Sequence, residues 1–289
     1  MLSLYIFLIT ITTILAFQGI SCHKITSTSE FDSSCSQSEK SAMSSEHTLK
    51  IQQNKEISEP EIPKLKVVYP REPTDLRVEE FRSASYVGPE TFTSEGSPIV
   101  IVLHGNYDRP EWQCSTWNRV AAFYGWILCP RGIPSPYAHI SEDRWTYRGS
   151  AAVIKEIEAS VQALKELYPK LIVDNERMLV GFSLGAILAH AVVTDKKGVY
   201  KYLYLVEGGA EKLTNAGILS LKQAGIKGIG MAMSTSKNRK HALDAIKRIK
   251  KQGLRTVFVD MSGAGHNYRH DFNLTGRKST EALILDQSN

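Results

Sequence analysis

Met178-Leu179-Val180-Gly181-Phe182-Ser183-Leu184-Gly185, followed by Ala186-Ile187-Leu188-Ala189-His190-Ala191-Val192-Val193, is the stretch whose reading decides the fold. An apolar run leads into a G-x-S-x-G turn, and a helix-forming run leaves it. Strand, sharp turn and helix in that order hold a serine hydroxyl at the apex, clear of the sheet. The flanking glycines, lacking Cβ, tolerate the strained backbone that such a corner requires. Leu184 puts its backbone N–H at the start of the helix, where unpaired amides and the helix dipole favour an oxyanion. Ser183 is therefore the candidate nucleophile.

Working outward, Ile99-Val100-Ile101-Val102-Leu103 is an unbroken apolar run of the kind buried on both faces of a parallel sheet, and it ends at His104-Gly105-Asn106. Trp117, Val120, Ala121 and Tyr124 predict a helix over 115–124, and Trp126-Ile127-Leu128 a strand. Ile154, Ile157, Val161, Leu164 and Leu167 mark an amphipathic helix over 151–168, which Pro169 closes. Downstream the pattern predicts strands over 200–206, 226–233 and 254–259, with helices over 213–224 and 239–252. Upstream, 65–69 and 76–82 alternate as edge strands do. The fold class is α/β: a mostly parallel central sheet with helices on both faces. In such sheets reactive groups collect beyond the carboxyl ends of the strands.

A content of 42% hydrophobic and 22% charged residues fits a soluble protein with one core. Net charge is +5, but the basic residues are scattered apart from 237–251, where they suit a solvated helix face. No nucleic-acid partner is expected. Residues 1–22 are apolar and uncharged up to Ile20, as a signal peptide or a membrane anchor would be. Cys22 follows a small residue, as at a bacterial lipoprotein cleavage site, although Gly19 stands where Leu is usual. Residues 23–63, rich in Ser and Glu, read as a flexible tether. The chain is expected to be exported, hence periplasmic, cell-surface or secreted, with a possible membrane tether.

An activated serine needs a base on a loop that reaches the top of the sheet. His266, in Ser262-Gly263-Ala264-Gly265-His266-Asn267-Tyr268, follows the last strand and meets that need. No histidine pair shows metal-ligand spacing, and neither metal nor cofactor is expected. The elbow, the strand-ending His104-Gly105 and the late Gly265-His266, in this order, resemble the α/β-hydrolase superfamily, in particular small serine esterases related to the dienelactone hydrolase and carboxylesterase branches. The resemblance covers about residues 64–289. It implies Ser183 as nucleophile, His266 as general base, and the backbone N–H of Asn106 joining that of Leu184 in the oxyanion hole. The chain departs from the family at the acid, because Ser234-Thr235-Ser236-Lys237-Asn238-Arg239-Lys240 contains no carboxylate. Glu207, ending the preceding strand in a position some lipases use, is the first choice. Asp260 comes second, and Asn238, as a neutral substitute, third.

Cys114 and Cys129 are either a disulfide, if the domain is exported, or two buried thiols. Residues 130–149 lack a helical pattern and are rich in aromatics. They form a pocket wall with His104, Arg131 and Trp145, or they merely pack the loop. Arg131 or Arg144 could meet an anionic substrate, and the sequence does not choose between them. The expected activity is cleavage of a small-molecule or polymeric carboxylic ester through an acyl-enzyme on Ser183. A peptidase of the same fold and a non-catalytic binding module are the alternatives. The sequence leaves the oligomeric state open.

Overall fold

A computed structural model describes residues 70–285. The apolar amino terminus, Cys22, the tether and the strand expected at 65–69 lie outside the described residues. The chain runs β1 (Thr74–Leu76), β2 (Ala84–Val87), β3 (Ile99–Leu103), α1 (Pro110–Ala121), β4 (Trp126–Cys129), β5 (Ile133–Pro134), β6 (Trp145–Thr146), α2 (Ser150–Leu167) and β7 (Arg177–Phe182). It continues with α3 (Leu184–Asp195), β8 (Tyr200–Val206), α4 (Asn215–Gln223), β9 (Gly228–Met233), α5 (Ser236–Lys251), β10 (Arg255–Asp260) and α6 (Phe272–Ile284). Eight strands form one sheet in the order β1-β2-β4-β3-β7-β8-β9-β10, and β5 pairs only with β6. The pairings β1–β2 and β2–β4 are antiparallel, as is β5–β6, while β4–β3, β3–β7, β7–β8, β8–β9 and β9–β10 are parallel.

The two-residue period of a strand divides the core. Ile99, Ile101 and Leu103 pack in one apolar cluster with α2, α3, α4 and α5. Val100 and Val102 join Trp117 of α1 and Phe272 of α6 in another. Burial on both sides is why β3 is entirely apolar. β7 lies between β3 and β8, so its carboxyl end opens at the middle of the sheet.

Several expected boundaries shift. The strand expected at 76–82 stops at Leu76, because the chain turns at Glu80 (φ 62°) and returns as β2, pairing Leu76 with Ala84. Burial of Val78 within that turn mimics the alternation of a strand. α1 starts earlier than expected, at Pro110, where the missing N–H of proline leaves no helical bond unmade. Leu167, placed on the apolar stripe of α2, is 52% exposed at the helix end. α6 was not anticipated, because its buried positions include Gly276 and Thr280, which hide the apolar period.

Cys114 and Cys129 are joined as a disulfide that ties α1 to β4, with Cα atoms 6.0 Å apart. Among the described residues no helix is long and apolar enough to cross a membrane. Closing a loop of 15 residues restricts the unfolded chain. Replacing both cysteines by serine therefore lowers the unfolding free energy by about 2–4 kcal/mol. Urea denaturation measures this, and an unchanged midpoint would show that the bond contributes nothing.

Candidate active site

Ser183 joins β7 to α3 with φ 51° and ψ −110°, outside ordinary helix and strand geometry. The strain sits on the serine itself. The neighbouring glycines are required for closeness instead: a Cβ on Gly181 would lie 2.5 Å from the backbone N of Ala186, and one on Gly185 would lie 2.3 Å from the carbonyl oxygen of Leu103. The first turn of α3 thus presses against β7 and β3. The N–H of Ser183 donates to the carbonyl of Val206 at 2.9 Å, which ties the corner to the end of β8.

His266 Nε2 lies 2.8 Å from Ser183 Oγ. Its other ring nitrogen, Nδ1, lies 3.4 Å from Glu207 Oε2. Glu207 is 2% exposed and follows β8 with φ 52°. Its Oε1 accepts the N–H of Ser234, and its Oε2 accepts from Asn238 Nδ2 at 3.3 Å. A buried carboxylate needs such donors, since an unpaired one would be strongly disfavoured. Neither of the two other candidates for the acid bonds to the imidazole. Asn238 donates to Glu207, and Asp260 faces Arg239 Nη2 at 2.5 Å and accepts the N–H of Ser262 at 2.8 Å. Desolvation pushes the Asp260 carboxyl up, but those bonds outweigh it and hold the group below the usual range.

Among the described residues neither Leu184 nor Asn106 spends its backbone N–H on a protein acceptor, leaving both donors for an oxygen at Ser183. The loop carrying Asn106 is fixed from both sides. Asp108 Oδ2 accepts the N–H of Gly105 at 3.1 Å and Gln113 Nε2 at 2.8 Å. His104 Nδ1 lies 2.7 Å from the carbonyl of Gly105, which belongs to the same peptide as the N–H of Asn106.

The expected pocket wall is corrected. His104 is fully buried, stacks on Tyr147 at 4.3 Å, and has Nε2 2.8 Å from the carbonyl of Arg131. Burial lowers its pKa, against the two carbonyls that face it. Arg131 Nε donates to the carbonyl of Ser83 at 2.7 Å, and its Nη2 pairs with Asp75 and Glu111. Trp145 packs under Arg131, 5.1 Å from ring centre to guanidinium carbon. None of the three lines the cavity of about 330 Å³ at Ser183 and His266. Tyr107 from the loop before α1 and Trp112 and Thr116 of α1 line it instead, with Phe182 and Tyr268. The apolar period marks the helix only from 115, so it does not show that α1 begins at Pro110 and carries Trp112 on this wall.

Tyr268 is a further residue that no pattern in the sequence signalled. Its hydroxyl donates to Gln113 Oε1 at 2.7 Å and accepts from Trp117 Nε1 at 3.0 Å, while its ring stacks on Phe182 at 5.2 Å. Burial pushes the phenol well above its ordinary range, so it stays neutral. It anchors the loop that carries His266. Among the described residues no group of side chains could hold a metal ion.

A solved structure of an uncharacterized protein from Bacillus cereus superposes with a TM-score of 0.52 at 14% identity, over 67% of this chain and 61% of that one. The chain has the α/β-hydrolase fold. An acylaminoacyl peptidase from Pyrococcus horikoshii gives a TM-score of 0.49 at 13% identity, over 74% of this chain and 40% of that one. The chain therefore spans about two fifths of that peptidase's length. Fungal esterases from Rhizomucor miehei give 0.44 at 15% identity, over 70% of this chain and 76% of theirs. No protein-family model and no curated protein matches the sequence.

The carboxylate that faces His266 Nδ1 follows β8, the strand beside β7. Removing the charge from a carboxylate that orients an imidazole slows turnover by about 10³–10⁴-fold. Glu207→Gln is therefore expected to slow fluorophosphonate labelling of Ser183 by at least about a hundredfold, and Asp260→Asn by less than about threefold. Labelling rates followed by intact mass spectrometry test the ranking, and the reverse order would move the acid to Asp260.

Proposed function

We propose that the chain is a serine hydrolase that cleaves carboxylic esters through an acyl-enzyme on Ser183. The observation that carries this reading is the line from Ser183 Oγ through the imidazole of His266 to the buried carboxylate of Glu207. Ser183 Oγ attacks the ester carbonyl as its proton passes to His266 Nε2. The carbonyl oxygen takes the negative charge and accepts from the N–H groups of Leu184 and Asn106. The tetrahedral species collapses, the C–O bond to the alcohol breaks, and the alcohol leaves with the proton from His266. Water then attacks the acyl carbonyl, giving its proton to His266. A second collapse releases the carboxylic acid and returns that proton to Ser183.

Glu207 stabilises the imidazolium formed in both halves and keeps Nε2 turned toward Ser183. That a carboxylate stands behind His266 counts against a non-catalytic binding module, whose support was the missing acid. The substrate is a small-molecule or polymeric ester reaching the cavity beside Trp112. The Cys114–Cys129 bond supports an exported location, because disulfides persist in oxidising compartments. The membrane tether remains part of this proposal, resting on the apolar residues before Cys22.

A fluorophosphonate probe is expected to label the wild type at Ser183 and to leave Ser183→Ala unlabelled. Absence of labelling in correctly folded wild type would favour the binding module. Hydrolysis of p-nitrophenyl acetate is expected to exceed that of aminoacyl anilides, and the opposite preference would make the protein a peptidase.

A further inference from the structure

Of the two arginines able to meet an acidic group, Arg131 is already neutralised by Asp75 and Glu111. Arg144 differs. Its Nε and Nη1 are buried with no hydrogen-bond acceptor, and among the described residues no carboxylate forms an ion pair with it. Buried guanidinium N–H groups seldom stay unpaired, because their lost hydration is not replaced. The guanidinium is held in place by rings: its carbon lies 4.5 Å from the centre of Trp112 and 5.4 Å from that of Tyr107. Both rings line the cavity at Ser183.

Arg144 also lines a separate cavity of about 160 Å³ with Arg82, Ser135 and His139. Ser135 is 4% exposed, and its hydroxyl too is buried without a partner. The carboxylate in that cavity, Asp143, is committed: Oδ2 lies 3.3 Å from Arg109 Nε, and Oδ1 accepts from Trp145 Nε1 at 2.9 Å. Two side chains that carry unpaired donors therefore line one small cavity whose carboxylate is already engaged. A planar oxyanion matches the guanidinium fork, and the hydroxyl of Ser135 adds a further donor.

We infer that Arg144 and Ser135 form a subsite for a carboxylate carried by the substrate, next to the aromatic wall of the cavity where the ester is cleaved. Arg144 of the smaller cavity stacks on Trp112 and Tyr107 of the larger, so the two cavities adjoin across that stack. The hydrolase reading supplies the source of the anion, whereas the subsite itself rests on Arg144 and Ser135. The preferred esters are acidic ones.

The probes are 4-acetoxybenzoate, its neutral methyl ester, and inorganic sulfate, with equilibrium binding to Ser183→Ala as the readout, so that no turnover is needed. Ser183→Ala is expected to bind 4-acetoxybenzoate about tenfold or more tightly than the methyl ester. Adding Arg144→Gln should abolish that preference and leave the methyl ester's affinity unchanged. Adding Ser135→Ala should weaken it while keeping the arginine stack, which retains the test if Arg144→Gln does not fold. Sulfate is expected to compete with 4-acetoxybenzoate only while Arg144 is present. Sulfate binding at Arg144 without any preference for the acidic ester would overturn the substrate assignment in favour of a free-anion site. Equal affinity for both esters with no sulfate binding would overturn the subsite altogether. Failure of the hydrolase reading would appear separately, as lack of fluorophosphonate labelling with binding intact.

Discussion

The structure depends on how closely the first turn of α3 lies against β7 and β3. No room for a Cβ exists at Gly181 or Gly185. The chain can pass from strand to helix in so small a space only if the residue between takes a positive φ, and Ser183 does so at 51°. An L-residue held there is strained by about 1–3 kcal/mol, which the packed sheet and helix around it must offset. The return is positional: the hydroxyl projects from a rigid corner, and the first free amide of the helix stands beside it.

The same crowding governs the acid. β8 runs beside β7 in parallel, so the residue after β8 emerges next to the elbow. Glu207 occupies that place, buried, with the N–H of Ser234 and the amide of Asn238 as donors. The turn after β9 thus supplies hydrogen bonds to Glu207 and holds no carboxylate of its own. Placing the carboxylate one strand inward keeps it behind the imidazole and out of water.

A chain of neutral groups and one carboxylate joins two loops of the site. Tyr268, beside His266 in sequence, donates to Gln113. Gln113 donates to Asp108, and Asp108 accepts from Gly105 in the loop that carries Asn106. The loop of His266 and the loop of Asn106 are therefore fixed to the same turn of α1. Arg144, stacked on Trp112 of that helix, extends this frame outward.

By itself the sequence determined the alternation of strands and helices, the elbow at Ser183 and the pairing of Ser183 with a late histidine. Those features are local: apolar period, glycine at tight corners, and turn residues after a strand leave their mark within a few positions. Glu207 is legible as a strand-ending carboxylate ranked ahead of Asp260, whereas only folding shows that Arg239 takes Asp260 and that the imidazole faces Glu207. The wall of the cavity, Tyr268 and the isolation of Arg144 came only with the tertiary structure. Each joins residues far apart along the chain, and whether an arginine is neutralised depends on where folding leaves the nearest carboxylates. Spacing along a chain holds no record of that.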